Sequence, residues 1–197
     1  EGIFFHVRTP AFSGTFDITM PGLFNVSNAL CAIAVSLVLG IPEEYIRSGL
    51  HRARAGGRMQ VYESQDHKAV VIVDYAHNRL SFEALFRSVK LEYPKRKILI
   101  IFGCPGYKAY LRRQDLGEIA GQNADFIYIT EEDSGEEPFQ QIAADIAKAI
   151  EPSHCPYLIL EDRGECIRRA ICEEEEPRLI LLTGKGEETR QKRGTQY

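Results

Sequence analysis

A carboxylate, a phenol and an imidazole stand close together at Asp74, Tyr75 and His77, directly after the apolar run Val71-Ile72-Val73. They offer an anion, a hydrogen-bonding ring and a group that titrates near neutrality. The apolar run is β-branched throughout and too short for a helix, so it reads as a buried strand. Asn78 then stands as an N-cap for the apolar-periodic stretch that begins at Leu80. Open α/β sheets hold their ligands where a parallel strand ends in polar side chains before a helix. The same residues would serve equally to cap the strand end and satisfy turn amides, and the pattern alone leaves both readings open.

Other strand ends carry comparable chemistry. Phe102-Gly103-Cys104-Pro105-Gly106-Tyr107-Lys108 is a glycine-containing loop that lets backbone approach a ligand, and Lys108, Arg112 and Arg113 could meet a phosphate or carboxylate. Thr130-Glu131-Glu132-Asp133-Ser134 is an acidic edge suited to an amino group, and Thr183-Gly184-Lys185-Gly186-Glu187-Glu188 closes the series. That last stretch is not a Walker A loop, because Gly186 follows the lysine where Ser or Thr is required. No strand–helix turn carries G-x-G-x-x-G, which disfavours a dinucleotide oxidoreductase. Cys104 has no base marked beside it and reads as a buried thiol. Far upstream, Asn25 and Asn28 share a helix face, and a carboxamide can match the edge of an adenine. The plainer alternative makes Asn25 an N-cap and leaves Asn28 exposed in the first turn.

These residues need elements to position them. Strands are expected at 69–74, 97–103, 125–130, 157–160 and 179–183, with helices at 81–92, 111–122, 138–150 and 164–175 between them. Such alternation means βαβ units and a mostly parallel, Rossmann-like α/β sheet with helices on both faces. The polar strand ends then fall on one sheet edge, which favours one composite site. Residues 173–176 form an acidic run that reads as the solvated end of a helix. Before this region, two strands at 3–7 and 14–20 suggest a hairpin, followed by a helix from Asn25 to Gly40 and a second at 43–52. The small, basic stretch 53–58 reads as a hinge, giving domains at 1–57 and 58–197.

At 197 residues the chain is long enough for a core without staples, and 44% hydrophobic with 26% charged residues is ordinary for a soluble globular protein. A net charge of −4 argues against nucleic acid as a partner. Five cysteines without a CxxC pair point to a reducing, cytoplasmic setting rather than disulfides or zinc, and no metal site is expected. No apolar run is long enough to span a membrane. The first methionine is Met20, and the chain reads as a piece of a longer protein.

Several stretches together are more specific than the fold. Pro21-Gly22-Leu23-Phe24-Asn25-Val26-Ser27-Asn28-Ala29, Gly57-Arg58-Met59-Gln60, Val73-Asp74-Tyr75-Ala76-His77, Gly103-Cys104-Pro105-Gly106, Leu116-Gly117-Glu118-Ile119-Ala120, Asp162-Arg163 and Gly184-Lys185-Gly186-Glu187-Glu188-Thr189 occur in that order. The series resembles the Mur ligases, and within them the MurE-type branch, the UDP-N-acetylmuramoyl-tripeptide synthetases. The resemblance implies a Rossmann-like C-terminal domain preceded by the β-hairpin and helical tail of a P-loop ATPase domain. It implies an ATP-dependent, amide-forming ligase of peptidoglycan synthesis. An acyl phosphate made from ATP and a UDP-N-acetylmuramoyl-peptide carboxylate is attacked by the amine of an incoming amino acid.

On that resemblance Asn25 and Asn28 address adenine. Arg58 and Asp74 contact the phosphate and ribose region, and Tyr75 and His77 shape the pocket. Lys108, Arg113, Asp133, Gly184 and Glu188 belong to the amino-acid site, with Glu188 suited to the ammonium. No catalytic residue is assigned. The P-loop, the Mg2+ ligands and the UDP-binding domain are expected upstream, so the piece alone is expected to be inactive. Two departures matter. Asn78-Arg79 replaces the branch's Thr-Pro, and Glu131-Glu132-Asp133-Ser134-Gly135 replaces the Asp-Asn-Pro-Arg loop that recognises diaminopimelate. Loss of that arginine makes L-lysine or another diamino acid the expected substrate. The alternatives are a cyanophycin-synthetase-like or polyglutamate-type ligase of the same superfamily, or a noncatalytic nucleotide and amino-acid binding module.

Overall fold

The computed structural model describes residues 2–172 and 176–196. The chain divides into two compact units, residues 1–55 and 56–197, where the sequence suggests a division after residue 57.

In the first unit, β1 (Ile3–Arg8) and β2 (Ser13–Ile18) form an antiparallel hairpin, followed by α1 (Phe24–Val38) and α2 (Glu43–Arg52). Its core gathers Val7, Phe16, Ile18, Ala29, Ile33, Ile46 and Leu50. The second strand ends at Ile18, two residues before the expected end. Leu23 occupies the N-cap position of α1 and makes no side-chain cap bond, so Asn25 is not the cap.

The second unit is a six-stranded sheet in the order β3-β4-β8-β5-β6-β7. Its strands are β3 (Gln60–Glu63), β4 (Ala69–Val73), β5 (Lys97–Phe102), β6 (Phe126–Ile129), β7 (Tyr157–Ile159) and β8 (Arg178–Leu182). Only β3 runs antiparallel, paired to β4 at the edge; the other neighbours are parallel. The sequence reading contained no β3, because its side chains are mostly exposed and show neither alternation nor an apolar run. The last strand, β8, inserts between β4 and β5. It is buried at Arg178, Leu179, Ile180 and Leu181, as expected for a central parallel strand covered on both faces.

The connecting helices are α3 (Arg79–Glu92), α4 (Tyr110–Asn123), α5 (Phe139–Ile150) and α6 (Arg163–Cys172). Phe82 of α3 packs edge-on against Phe102 of β5, with ring centroids 5.4 Å apart. Cys166 and Ala170 of α6 pack with Leu99, Ile101, Tyr128 and Ile180. Because Ile101 and Phe102 are neighbours on one strand, these contacts lie on opposite faces of the sheet. Asn78 caps α3 as the sequence suggests: its Oδ1 accepts from Ser81 N at 3.0 Å, and Ser81 Oγ accepts from Asn78 N at 3.1 Å. The acidic run at 173–175 lies outside the described residues. Among those described, no helix is long and apolar enough to cross a membrane.

Candidate functional site

Strand β4 ends at Val73, and Asp74 N continues its ladder by donating to Leu182 O at 2.9 Å. The Asp74 carboxylate is buried and accepts from Met59 N at 2.8 Å and Ala76 N at 2.7 Å. Burial raises its acid above the ordinary range, against the opposing pull of those two amides. The capping reading therefore describes Asp74 as the structure has it. Rather than facing a ligand with both oxygens, it fastens the turn before β3 to the end of β4.

Tyr75 and His77 project from the same turn. Their rings meet edge-on with centroids 5.0 Å apart, and His77 Nδ1 lies 2.8 Å from Tyr75 O. The Arg58 guanidinium lies over the Tyr75 ring, 4.5 Å from its centroid. The Tyr75 hydroxyl donates to Glu188 Oε1 at 2.9 Å. Lys185 Nζ donates to Asp133 Oδ1 at 2.9 Å and pairs with Glu188 Oε2 at 2.9 Å. Asp133, Lys185, Glu188, Tyr75 and Arg58 thus form one continuous polar chain across three strand ends.

The charges in this chain support one another. Burial opposes ionisation of Glu188, but bonds from Lys185 and Tyr75 outweigh it and hold the acid below its usual range. Burial likewise opposes the charge on Lys185, and its two carboxylate partners outweigh that and raise its pKa. The bond to Glu188 raises the Tyr75 phenol, so the ring stays protonated and donates.

Backbone shape makes the close approach feasible. Gly184 has φ +94°, and a β-carbon there would overlap the Glu132 carboxylate. Gly57, at φ +62°, sits so close to Gly186 and Glu187 that a side chain would collide with their backbone. Met59, Tyr107, Ala109 and Asp133 also hold positive φ without being glycine. Such strain gathers at ligand sites when the surrounding packing enforces it. Gly56, Gly57, Arg58, Tyr75 and the 185–188 turn border an open cavity of about 260 Å³.

Glu132 is the unusual acid. It is buried beside Gly103 and Gly184, with Arg112 Nη1 3.9 Å from its Oε1. Burial pushes its acid up to about 7, against the fields of Arg163, Arg112 and Lys185.

The expected residues do not all come together. Arg58, Tyr75, His77, Asp133, Gly184 and Glu188 come together at the carboxyl edge of the sheet. Within that group Asp133 is already bonded to Lys185 and to Lys192 N, at 2.8 Å, rather than open to an amine. Lys108 is exposed on the loop before α4. Arg113 is 1% exposed and already paired, with both terminal nitrogens donating to Glu137 at 2.7 Å and Nη1 also reaching Asp145 at 2.8 Å. It ties α4 to the start of α5 through its buried ion pair with Glu137. In the first unit, Asn25 Nδ2 donates to Pro21 O at 2.7 Å and its Oδ1 accepts from Asn28 Nδ2 at 2.9 Å. Asn25 therefore orients Asn28, which is exposed and retains its own carbonyl oxygen.

The sequence singles out neither Lys185 nor, within the acidic edge at 131–133, Glu132. The Gly-Lys-Gly spacing marks Lys185 only as a lysine between two turn residues, and nothing local marks Glu132 as buried. Cys104 is buried and its thiol is pushed well up by burial, as suits an inert core thiol.

Comparison with known proteins fits this arrangement. Residues 57–186 match the family model "Mur ligase, glutamate ligase domain". The chain belongs to the Mur ligase family. It is 35% identical over 191 residues to a UDP-N-acetylmuramoyl-L-alanyl-D-glutamate–2,6-diaminopimelate ligase from Caldanaerobacter subterraneus subsp. tengcongensis, covering 97% of this chain and 39% of that protein. It is 35% identical over 180 residues to a UDP-N-acetylmuramyl-tripeptide synthetase from Lactobacillus delbrueckii subsp. bulgaricus, covering 91% and 35%. A pseudomurein peptide ligase type C from Methanothermus fervidus shares the fold at a TM-score of 0.72 and 22% identity, over 94% of this chain and 38% of that one. The chain therefore spans less than half the length of each of these proteins.

Proposed function

We propose that this chain is the C-terminal part of a cytoplasmic, ATP-dependent ligase that adds L-lysine or another diamino acid to UDP-N-acetylmuramoyl-dipeptide. The observation that carries this reading is the polar chain from Asp133 through Lys185 and Glu188 to Tyr75, beside the Arg58 cavity. It offers an anion for an ammonium and a cation for phosphate on one sheet edge. In the reaction, the amine nitrogen bonds to the carbonyl carbon of an acyl phosphate while the bond to the phosphate oxygen breaks. The amine's proton must leave as the amide forms.

In this reading Glu188 orients the incoming ammonium, and Lys185 keeps that carboxylate ionised. Arg58 suits the phosphate region of ATP, in a pocket that Tyr75 and His77 shape, while Asn28, oriented by Asn25, suits adenine; ATP supplies the activating phosphoryl group. Magnesium fits less well here: among the described residues no cluster of three His, Cys, Asp or Glu could hold a metal. No step is therefore assigned to a metal on this chain. The run of acids at 131–133 supports a basic side chain, with Glu132 the member not already hydrogen-bonded to a cation.

The test is turnover by the full-length protein with UDP-N-acetylmuramoyl-dipeptide, ATP and Mg2+, comparing L-lysine with diaminopimelate. Faster phosphate release with lysine is expected, and diaminopimelate as the better substrate overturns the choice. The isolated chain is expected to give no turnover.

A further inference from the structure

A second cavity, also of about 260 Å³, lies on the other side of the 185–188 turn, between the start of α6 and the irregular segment 189–191. Arg163, Lys185, Arg190 and Gln191 line it, with Glu188 as the only acidic member. The Arg163 Nη2 donates to Thr183 O at 2.7 Å, which fixes the guanidinium. Its Nη1 is buried and has no hydrogen-bond partner among the described residues. The same holds for Nε2 of Gln191. Two buried donors thus border one cavity and both lack an acceptor.

That state is costly. A buried donor without an acceptor costs about 1–3 kcal/mol, and more when it is charged. Native structures explain such groups by a water or an ion. Here the charge selects between the two. Lys185 is satisfied by Glu188 and Asp133, and Glu188 is also bonded by Tyr75, so Arg163 and Arg190 are the cations of the lining left for an anion. The nearby Glu132 carboxylate interacts with Arg163 electrostatically, but it does not accept from Nη1. The end of α6 does not carry the argument, since Asp162 Oδ1 already accepts from Glu165 N at 2.9 Å.

We propose that this cavity is an oxyanion site in which Arg163 Nη1 and Gln191 Nε2 donate to a carboxylate or a phosphate. The site is independent of the ligase reading and separate from the Arg58–Tyr75 cavity, although the two share the 185–188 turn. In the conformation seen here both donors are shielded from solvent, so entry requires the 189–191 segment to shift. That segment has no regular secondary structure to break.

The experiment is calorimetric titration of the chain with inorganic phosphate and, in a parallel arm, with acetate, both at constant ionic strength against chloride. Saturable binding of one of them is expected, and the stronger of the two arms identifies the chemistry. Gln191→Leu and Arg163→Met should each weaken that binding at least tenfold. Gln191→Leu decides the outcome if Arg163→Met fails to fold, because the glutamine is neutral and lies outside the helices and strands. Absence of binding by both anions would assign the cavity to water and overturn the proposal. Unchanged affinity in Gln191→Leu would place the anion elsewhere and overturn it equally.

Discussion

At the amino edge of the sheet, Arg178 opens β8 with its guanidinium buried among backbone carbonyls. Its Nε donates to Ala170 O at 2.8 Å, its Nη1 to Glu176 O at 2.9 Å, and its Nη2 to Ile171 O. Arg96, just before β5, behaves alike, donating to Lys68 O at 2.7 Å and His67 O at 2.8 Å. At the carboxyl edge the arrangement differs. Arg113 is held by carboxylates, Lys185 by two acids, and Arg163 retains a nitrogen without a partner among the described residues. At the amino edge the guanidinium donors go to backbone carbonyls, including those that end α6, and the carboxylates stand further out: Arg96 Nη2 lies 3.9 Å from Glu63 Oε1, and the exposed Lys97 pairs with Glu176. At the carboxyl edge Arg113 and Lys185 hold carboxylates at hydrogen-bond distance, and Arg163 donates to Thr183 O while keeping a donor that a charged ligand could use. The difference separates an edge built to be closed from one built to be opened.

Three substitutions sharpen that contrast. The largest effect is expected for Arg113→Met, which leaves Glu137 buried without its counter-ion. A loss of about 3–5 kcal/mol in urea unfolding follows from breaking a buried pair on one side. A loss below 1 kcal/mol would mean that Glu137 finds water instead. Next is the pH dependence set by Glu132. Its acid rises from an ordinary 4.5 to about 7 on folding. Between those values the folded chain holds a proton that the unfolded chain has released, so stability falls as pH rises through that window. Relative to Glu132→Gln, the unaltered chain should lose on the order of 3 kcal/mol between pH 4.5 and 7. Parallel stability profiles for the two proteins would show that Glu132 ionises normally. The smallest effect is expected for Arg178→Met, because the acceptors described around it, Ala170 O, Glu176 O and Ile171 O, are neutral carbonyls. A cost of about 1–3 kcal/mol is expected, with the relative stability of variant and parent unchanged by added phosphate.

Much of the second unit was legible because its signals are local. Apolar β-branched runs such as Val70–Val73 and Ile98–Phe102 mark strands wherever they occur, and Asn78 followed by Ser81 marks a helix start. Strand β3 was not legible, since an exposed edge strand carries no burial pattern. In the first unit the distribution of polar roles misled for a related reason. Asn25 has the residue type of an N-cap, yet a carbonyl four residues before it, that of Pro21, claims its amide once the turn at Gly22 brings the two together.

The site divides the same way. Its members could be named from strand ends, but their bonding could not. Tyr75 and Glu188 are 113 residues apart, and the sequence suggests them for different ligands. Arg113 and Arg163 look alike as arginines beside strand ends. One becomes a buried tie between helices, and the other keeps a donor free.

The sequence by itself determined the order of elements, the parallel class of the sheet and the set of polar residues brought to its carboxyl edge. These depend on side-chain periodicity and turn chemistry, which act over a few residues. Only the tertiary structure decided that β8 lies between β4 and β5, which carries Lys185 and Glu188 to Tyr75 and Asp133. It also decided which charges are already paired and which remain open. Desolvation and hydrogen-bond geometry set that outcome, and both depend on neighbours that are distant in the chain.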